Sequence, residues 1–236
     1  GRAIRPEFEF STAASLQRRL LDDLVHEYSF CLRHLDGAGR EFVHRLQARF
    51  QIENIKVLLR GLLEHAPFEV VREQLIPLPR ELILDAQALL EAETLDAFAR
   101  GLPGGLPRKQ LQSAIAAHHD PAGAFFWEAA LDGGYFRGLL DQVERLVAAE
   151  KELIEPLVRQ EIEKFHLQLA VRGKFNHGYA VESLAPLGVP GSGAAGERFK
   201  IMLAANDISA VAKAGLGCVF DELPAAFGTA ETASSI

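Results

Sequence analysis

Three groups of residues in this 236-residue chain have types and spacings that could do chemistry. Gly191-Ser-Gly193-Ala-Ala-Gly196 satisfies G-x-G-x-x-G and opens onto a helix-forming stretch, the arrangement of a dinucleotide loop. Such a loop needs a buried strand before it, so that the pyrophosphate meets both the tight turn and the helix N-terminus. Here the preceding Leu184-Ala-Pro-Leu-Gly-Val-Pro190 carries two prolines, and Glu197-Arg198 stand where a P-loop has Lys-Ser/Thr. His118-His119-Asp120 could offer metal ligands, but adjacent histidines on a helix point about 100° apart. Neither H-x3-H nor H-E-x-x-H occurs. Asp22, Asp23, Glu150, Glu161 and Glu163 fall among Lys and Arg at helical spacing, as on a solvated face rather than in an acid–base pair. These patterns imply no catalytic centre, cofactor or metal.

The remaining candidates recur. Phe50-Gln-Ile-Glu-Asn-Ile-Lys-Val-Leu-Leu-Arg-Gly61 is matched 112 residues later by Ile162-Glu-Lys-Phe-His-Leu-Gln-Leu-Ala-Val-Arg-Gly173. Each copy has an early acidic residue, a polar residue (Asn54, His166), an aliphatic run, then Arg60-Gly61 or Arg172-Gly173. With one more residue of offset, Leu90–Arg100 falls on Leu203–Lys213. A unit written twice decides architecture before any motif does. The two arginines are either functional cations lining a cavity, or cations near a helix C-terminus followed by Gly in the left-handed cap position. Asn54 and His166 are either ligands or buried polar groups hydrogen-bonded to a neighbouring segment.

Bulk properties narrow the classes. A 48% apolar and 24% charged composition is that of a globular protein, and the length allows one large domain or two modest ones. A net charge of −7 argues against nucleic acid as the main partner and gives anionic lipid no attractive field. No uncharged apolar run approaches the roughly 18–20 residues of a membrane span. Cys31 and Cys218 form no pairing pattern, which suits a reducing compartment. Arg2 and Arg5 are followed by Glu7 and Glu9 rather than by an apolar signal core.

Helical periodicity supplies the elements. Leu16, Leu20, Leu24, Tyr28, Cys31 and Leu35 predict an amphipathic helix capped by Ser11 or Thr12 and stopped at Asp36-Gly37. A second helix is expected from Arg40 to Arg60, ending on Gly61, its wide apolar coverage marking it as central. A short helix follows Pro67 and stops near Pro77-Leu-Pro79; others are expected over Arg80–Arg100 and Arg108–His119. In the second copy Phe136, Leu139, Val143, Leu146 and Val147 match the first stripe. Because Ala148-Ala-Glu-Lys151 are helix formers, one long helix is expected from Phe136 to Arg172, bent near Pro156. A short helix at Tyr179–Ala185, a Gly/Pro loop over 186–196 and a helix at Glu197–Ala214 complete the copy. The chain is therefore read as all-α: a lead-in 1–11, a first helical unit 12–120, a second 121–220, and a patternless, mobile tail 221–236.

These units resemble the C subunit of archaeal-type ATP synthases, whose counterpart in eukaryotic V-type ATPases is the d subunit. The resemblance rests on Glu53-Asn54-Ile55 through Arg60, on Tyr135-Phe136-x-x-Leu139-Leu140, and on Glu161 to His166 through Arg172-Gly173. A short helix and a Leu-x-Pro loop after each core helix fit as well. It covers about residues 12 to 215, where two of the family's three pseudo-equivalent units are legible. It implies an all-helical, funnel-type body and a non-catalytic role. The expected partners are the central stalk and the membrane rotor ring of a V/A-type rotary ATPase, met on the cytoplasmic face, with peripheral membrane association through the complex. Proton or sodium transport would be coupled to ATP hydrolysis or synthesis through it, without cofactor or small-molecule substrate. The structural repeat core would be Glu53, Asn54, Arg60, Gly61, Glu161, His166, Arg172 and Gly173. The alternative is a free-standing helical adaptor that uses the same unit to bind another protein.

Overall fold

The computed structural model describes residues 13–118 and 123–217. The expected lead-in, the candidate caps Ser11 and Thr12, His119-Asp120, Cys218 and the tail lie outside the described residues. Every regular element among those residues is helical, so the all-α class holds. Packing divides the chain between Glu93 and Thr94. The sequence motif starts again only near residue 120; the packing boundary falls earlier because the helix before that point lies along the one after it.

The first compact unit is built on one long helix. Helix α1 (Ala13–Leu32), α3 (Phe68–Gln74) and α4 (Ala86–Leu90) all pack against α2 (Gly37–Leu63). Ile55, Leu58 and Leu59 of α2 are wholly buried, each contributing about 1.5–3 kcal/mol of transfer free energy. The widening apolar face does mark the central element. Two details differ from expectation. On α1 the face against α2 is Leu21, Val25, Tyr28 and Leu32, with the Tyr28 and Phe50 rings 5.8 Å apart. Leu16, Leu20, Leu24 and Cys31 stay exposed: periodicity finds an apolar stripe, and α1 has two, offset around its circumference. Nor does α2 stop at Gly61. It runs to Leu63 with Glu64 as its C-cap, and the left-handed residue is His65 (φ 51°).

Gly61 is needed for a different reason. A Cβ there would sit 2.7 Å from Val71 Cγ2 and 3.0 Å from Leu90 Cδ2, so α3 and α4 close onto α2 only over a bare backbone. Gly173 serves its own copy alike: a Cβ would meet Leu184 Cδ2 at 2.5 Å and Phe125 Cζ at 3.1 Å. The expected cap glycines are close-contact glycines.

The second compact unit contains α5 (Leu95–Gly101), α6 (Leu106–Ala117), α7 (Ala124–Val143), α8 (Ala148–Ala170), α9 (Val181–Leu184), α10 (Ala194–Ala204) and α11 (Ile208–Leu216). Its spine is α8, against which α7, α10 and α11 pack. Helix α8 ends in six residues of π-helix, Val171–Asn176, where the His177 amide donates to the Arg172 carbonyl.

The expected continuous helix from Phe136 to Arg172 is not formed. The chain turns at 144–147, Val147 is extended (ψ 154°) and exposed, and α8 starts afresh at Ala148. Helix formers at 148–151 tell where a helix can run, not where burial of Leu146 makes the chain turn. The turn matches the break at 33–36, so the copies agree better than their composition suggests. Pro156 lies inside α8 on an exposed turn, where it removes one i to i−4 bond. The helix expected over Arg80–Arg100 is a 3-10 turn (Arg80–Leu82), α4 and α5, and that expected over Glu197–Ala214 is α10 and α11. Side-chain caps make the divisions: Asp85 accepts from the Ala88 amide, Thr94 from Ala97 and Asp207 from Ala210. Thr94 and Asp207 are equivalent positions of the two copies.

The Gly61 contact can be tested by a double-mutant cycle. Gly61→Val is expected to destabilise the chain by about 2 kcal/mol in urea denaturation through overpacking, and Val71→Ala to recover part of that loss. Purely additive effects would show that Val71 does not demand the glycine.

Candidate functional site

The polar members of the repeat hold loops rather than ligands. Asn54, on the buried face of α2, donates from Nδ2 to the Ile76 carbonyl, while its Oδ1 accepts from the Ile76 amide, both at 2.8 Å. One turn earlier Gln51 donates to the Leu82 carbonyl at 2.9 Å. Ile76 precedes Pro77, which has no N–H and favours an extended residue before it, and both backbone groups of that extended residue are met by the Asn54 side chain.

His166 occupies the place of Asn54 on α8 and is fully buried. Its Nε2 accepts from the Val189 amide at 3.0 Å, which puts the proton on Nδ1, and Nδ1–H donates to the Ala195 carbonyl at 3.2 Å. Val189 precedes Pro190 as Ile76 precedes Pro77. Val189 and Ala195 are the counterparts of Ile76 and Leu82. One imidazole thus reaches the two backbone sites that take Asn54 and Gln51 in the first copy. The bond it cannot make, to the Val189 carbonyl, comes from Ser192 Oγ at 2.7 Å. The glycine-rich loop is thereby accounted for: Ser192 is buried, its carbonyl accepts from Arg159 at 2.6 Å, and a 3-10 turn rather than a strand precedes it.

The charged members do not form matching sites. Glu53 lies between Arg49 (2.7 Å) and Lys56 (2.9 Å) on its own helix. Glu161 is exposed, 3.8 Å from Lys164, and its place along the helix is not that of Glu53. Arg60 lies in the last turn of α2, where a cation complements the helix dipole. Arg172 sits in the π-helical stretch with its guanidinium 5.9 Å from the centroid of Phe125. His118 stacks on Phe126 at 3.9 Å and its carbonyl accepts from Trp127 Nε1. Among the described residues no three His, Cys, Asp or Glu side chains come close enough to hold a metal.

Arg172 also borders a shallow concavity between α7 and α8, with Phe125, Ala129, Phe165 and Leu169 as floor and Glu128, Asp132 and Gln168 on its rim. Sequence reasoning missed its acidic side, although Glu128 and Asp132 stand at i, i+4. Its volume is about 40 Å³, against roughly 300 Å³ or more for a small-molecule site.

Burial pushes the His166 pKa down from 6.5 to about 4, because taking the ring out of water penalises its charged form, while the bond to Ala195 works the other way. The folded state favours the neutral ring, so this stabilisation is complete above pH 6.5 and is lost as pH falls toward 4. It amounts to about 3 kcal/mol at most. Urea midpoints measured between pH 7 and 4 should fall more steeply for the wild type than for His166→Gln, which cannot take up the proton. Parallel profiles would refute the assignment.

The profile of the ATP synthase (C/AC39) subunit family matches residues 6–232. The C subunit of the A-type ATP synthase of Methanocaldococcus jannaschii is 24% identical over 177 residues, which are 75% of this chain and 44% of that relative. This chain thus spans less than half the length of the curated relative it matches. No solved structure matches it. The profile covers nearly all of the sequence and the bonding pattern repeats within it. The chain belongs to the ATP synthase C/AC39 subunit family.

Proposed function

We propose that this chain is a non-catalytic connector of a V/A-type rotary ATPase. It joins the central stalk to the membrane rotor ring on the cytoplasmic side and so couples ATP hydrolysis or synthesis to proton or sodium transport. Family membership over residues 6–232 is the observation that carries this reading. The build of the helices supports it. Two copies of one helical unit, 12–120 and 121–220, each fasten a loop to a central helix through Asn54 or His166 and seat a short helix on Gly61 or Gly173. Dense packing of this kind is poorly compressible, so load passes through it with little local rearrangement. No helix among the described residues is long and apolar enough to cross a membrane, and association through the complex fits that.

The test is affinity purification of the tagged full chain from its source cell. Ring and stalk subunits should be recovered at fixed stoichiometry, and deletion of the gene should abolish ATP-driven ion uptake by membrane vesicles while ATP hydrolysis by the released catalytic head persists. Recovery of other proteins without ring or stalk subunits would sink the proposal in favour of an adaptor.

A further inference from the structure

The two copies fasten equivalent loops with side chains of different acid–base character. Asn54 meets the Ile76 amide and carbonyl with groups that do not titrate. His166 meets the Val189 amide with Nε2, and that nitrogen can accept only while it is unprotonated. A protonated ring is a donor at both nitrogens, so two donors would face each other at 3.0 Å. The bond from Nδ1–H to the Ala195 carbonyl survives this change; the bond to Val189 does not.

The loop yields before the helix does. His166 projects from α8, whose backbone ladder does not involve the ring. Beyond Val189 the chain stays anchored at Ser192, whose carbonyl accepts from Arg159, a side chain that keeps its charge across the whole range in question. Before Val189, bare Gly188 lies against Phe199, where a Cβ would be 2.9 Å from Cδ1, and Phe199 in turn stacks on His166 at 4.4 Å. Displacement of the imidazole is therefore felt at two successive residues of the loop. Lifting 186–190 gives up chiefly the burial of Val189, whereas opening the unit would also expose Trp127, Ile162 and Met202.

The segment 185–193 carries no titratable side chain. On the flanking turns of α8 and α10 the charged groups pair with one another: Glu163 with Arg198, Glu155 with Arg159, and Glu197 with Lys200. We propose that His166 is an acid-releasable latch on the loop 186–190, present in the second copy and absent from the first, closed only while Nε2 carries no proton. The enclosed ring has its pKa lowered from 6.5 to about 4, so the latch is complete above pH 6.5 and weakens as pH falls toward 4. It does not depend on the proposed connector role.

Amide exchange resolved by NMR on the full chain, corrected for the intrinsic pH dependence of exchange, tests the latch between pH 7 and 5. Protection of the Val189 amide should fall roughly 20-fold over that range, while the amides of Ile76 and of Leu139, buried inside α7, change by less than about threefold. In His166→Gln, which cannot take up the proton, the selective loss at Val189 should vanish. Unchanged protection at Val189 overturns the proposal. So does a loss shared by Leu139, which means that the whole unit opens, a loss shared by Ile76, or one that persists in His166→Gln. Should that variant fail to fold, the comparison of the three wild-type amides decides alone.

Discussion

A helix spends its interior backbone groups on its own ladder, so a loop laid across it is fastened through side chains, and the packing of each copy is arranged around that fact. The residue before each proline, Ile76 or Val189, has an amide and a carbonyl that must be satisfied away from water. Asn54 satisfies both for Ile76; His166 and Ser192 share the duty for Val189. A buried donor or acceptor left unmet costs about 1–3 kcal/mol, so the loops have one position each and the helices that follow inherit it. The polar residues of this core act as fixings.

Each fixing works with a close approach one turn or two further on. Gly61 and Gly173 let a short helix touch the spine backbone, and the loop fastened by Asn54 or His166 returns over the same spine. Leu184, wholly buried on Gly173, and Val71, on Gly61, plug the gaps. Histidine for asparagine is a substitution of reach: the imidazole spans two backbone groups on opposite ring nitrogens, and Gln51 has no amide counterpart because none is required.

Much of this is legible in the residues. The duplicated Arg-Gly segment, the all-helical class and the central rank of α2 follow from spacing alone, because burial on several sides leaves a wide apolar face. The structural reading of Asn54 and His166 as hydrogen-bonded core groups also agrees with their bonds. What stays hidden has physical reasons. Asp85, Thr94 and Asp207 end helices through a single side-chain bond, a local signal that the surrounding apolar periodicity overwhelms. Nothing in Arg145-Leu146-Val147 forbids helix; the turn there is imposed by packing of α7 on α8. An arginine-glycine pair at a helix end points to a cap because that is its commoner cause, and only coordinates show Val71 and Leu184 pressed against the two glycines. Leu16, Leu20 and Leu24 do lie on an apolar stripe of α1, but periodicity does not say which of its two stripes α2 will cover.

The wide turn at Val171–Asn176 has a bearing on how the two copies differ. Equivalent residues lie 112 apart at Gly61 and Gly173, but 113 apart from Ile76 and Val189 onward. The second copy therefore has one amino acid more than the first between its glycine and its loop, and the π-helical turn, wider than an α-helical one, lies where that extra residue falls. Everything downstream kept its phase: Val189 still meets its histidine, and Asp207 still caps its helix. That stretch behaves as an expansion joint, taking up the length difference between the two copies while both anchor points keep their partners.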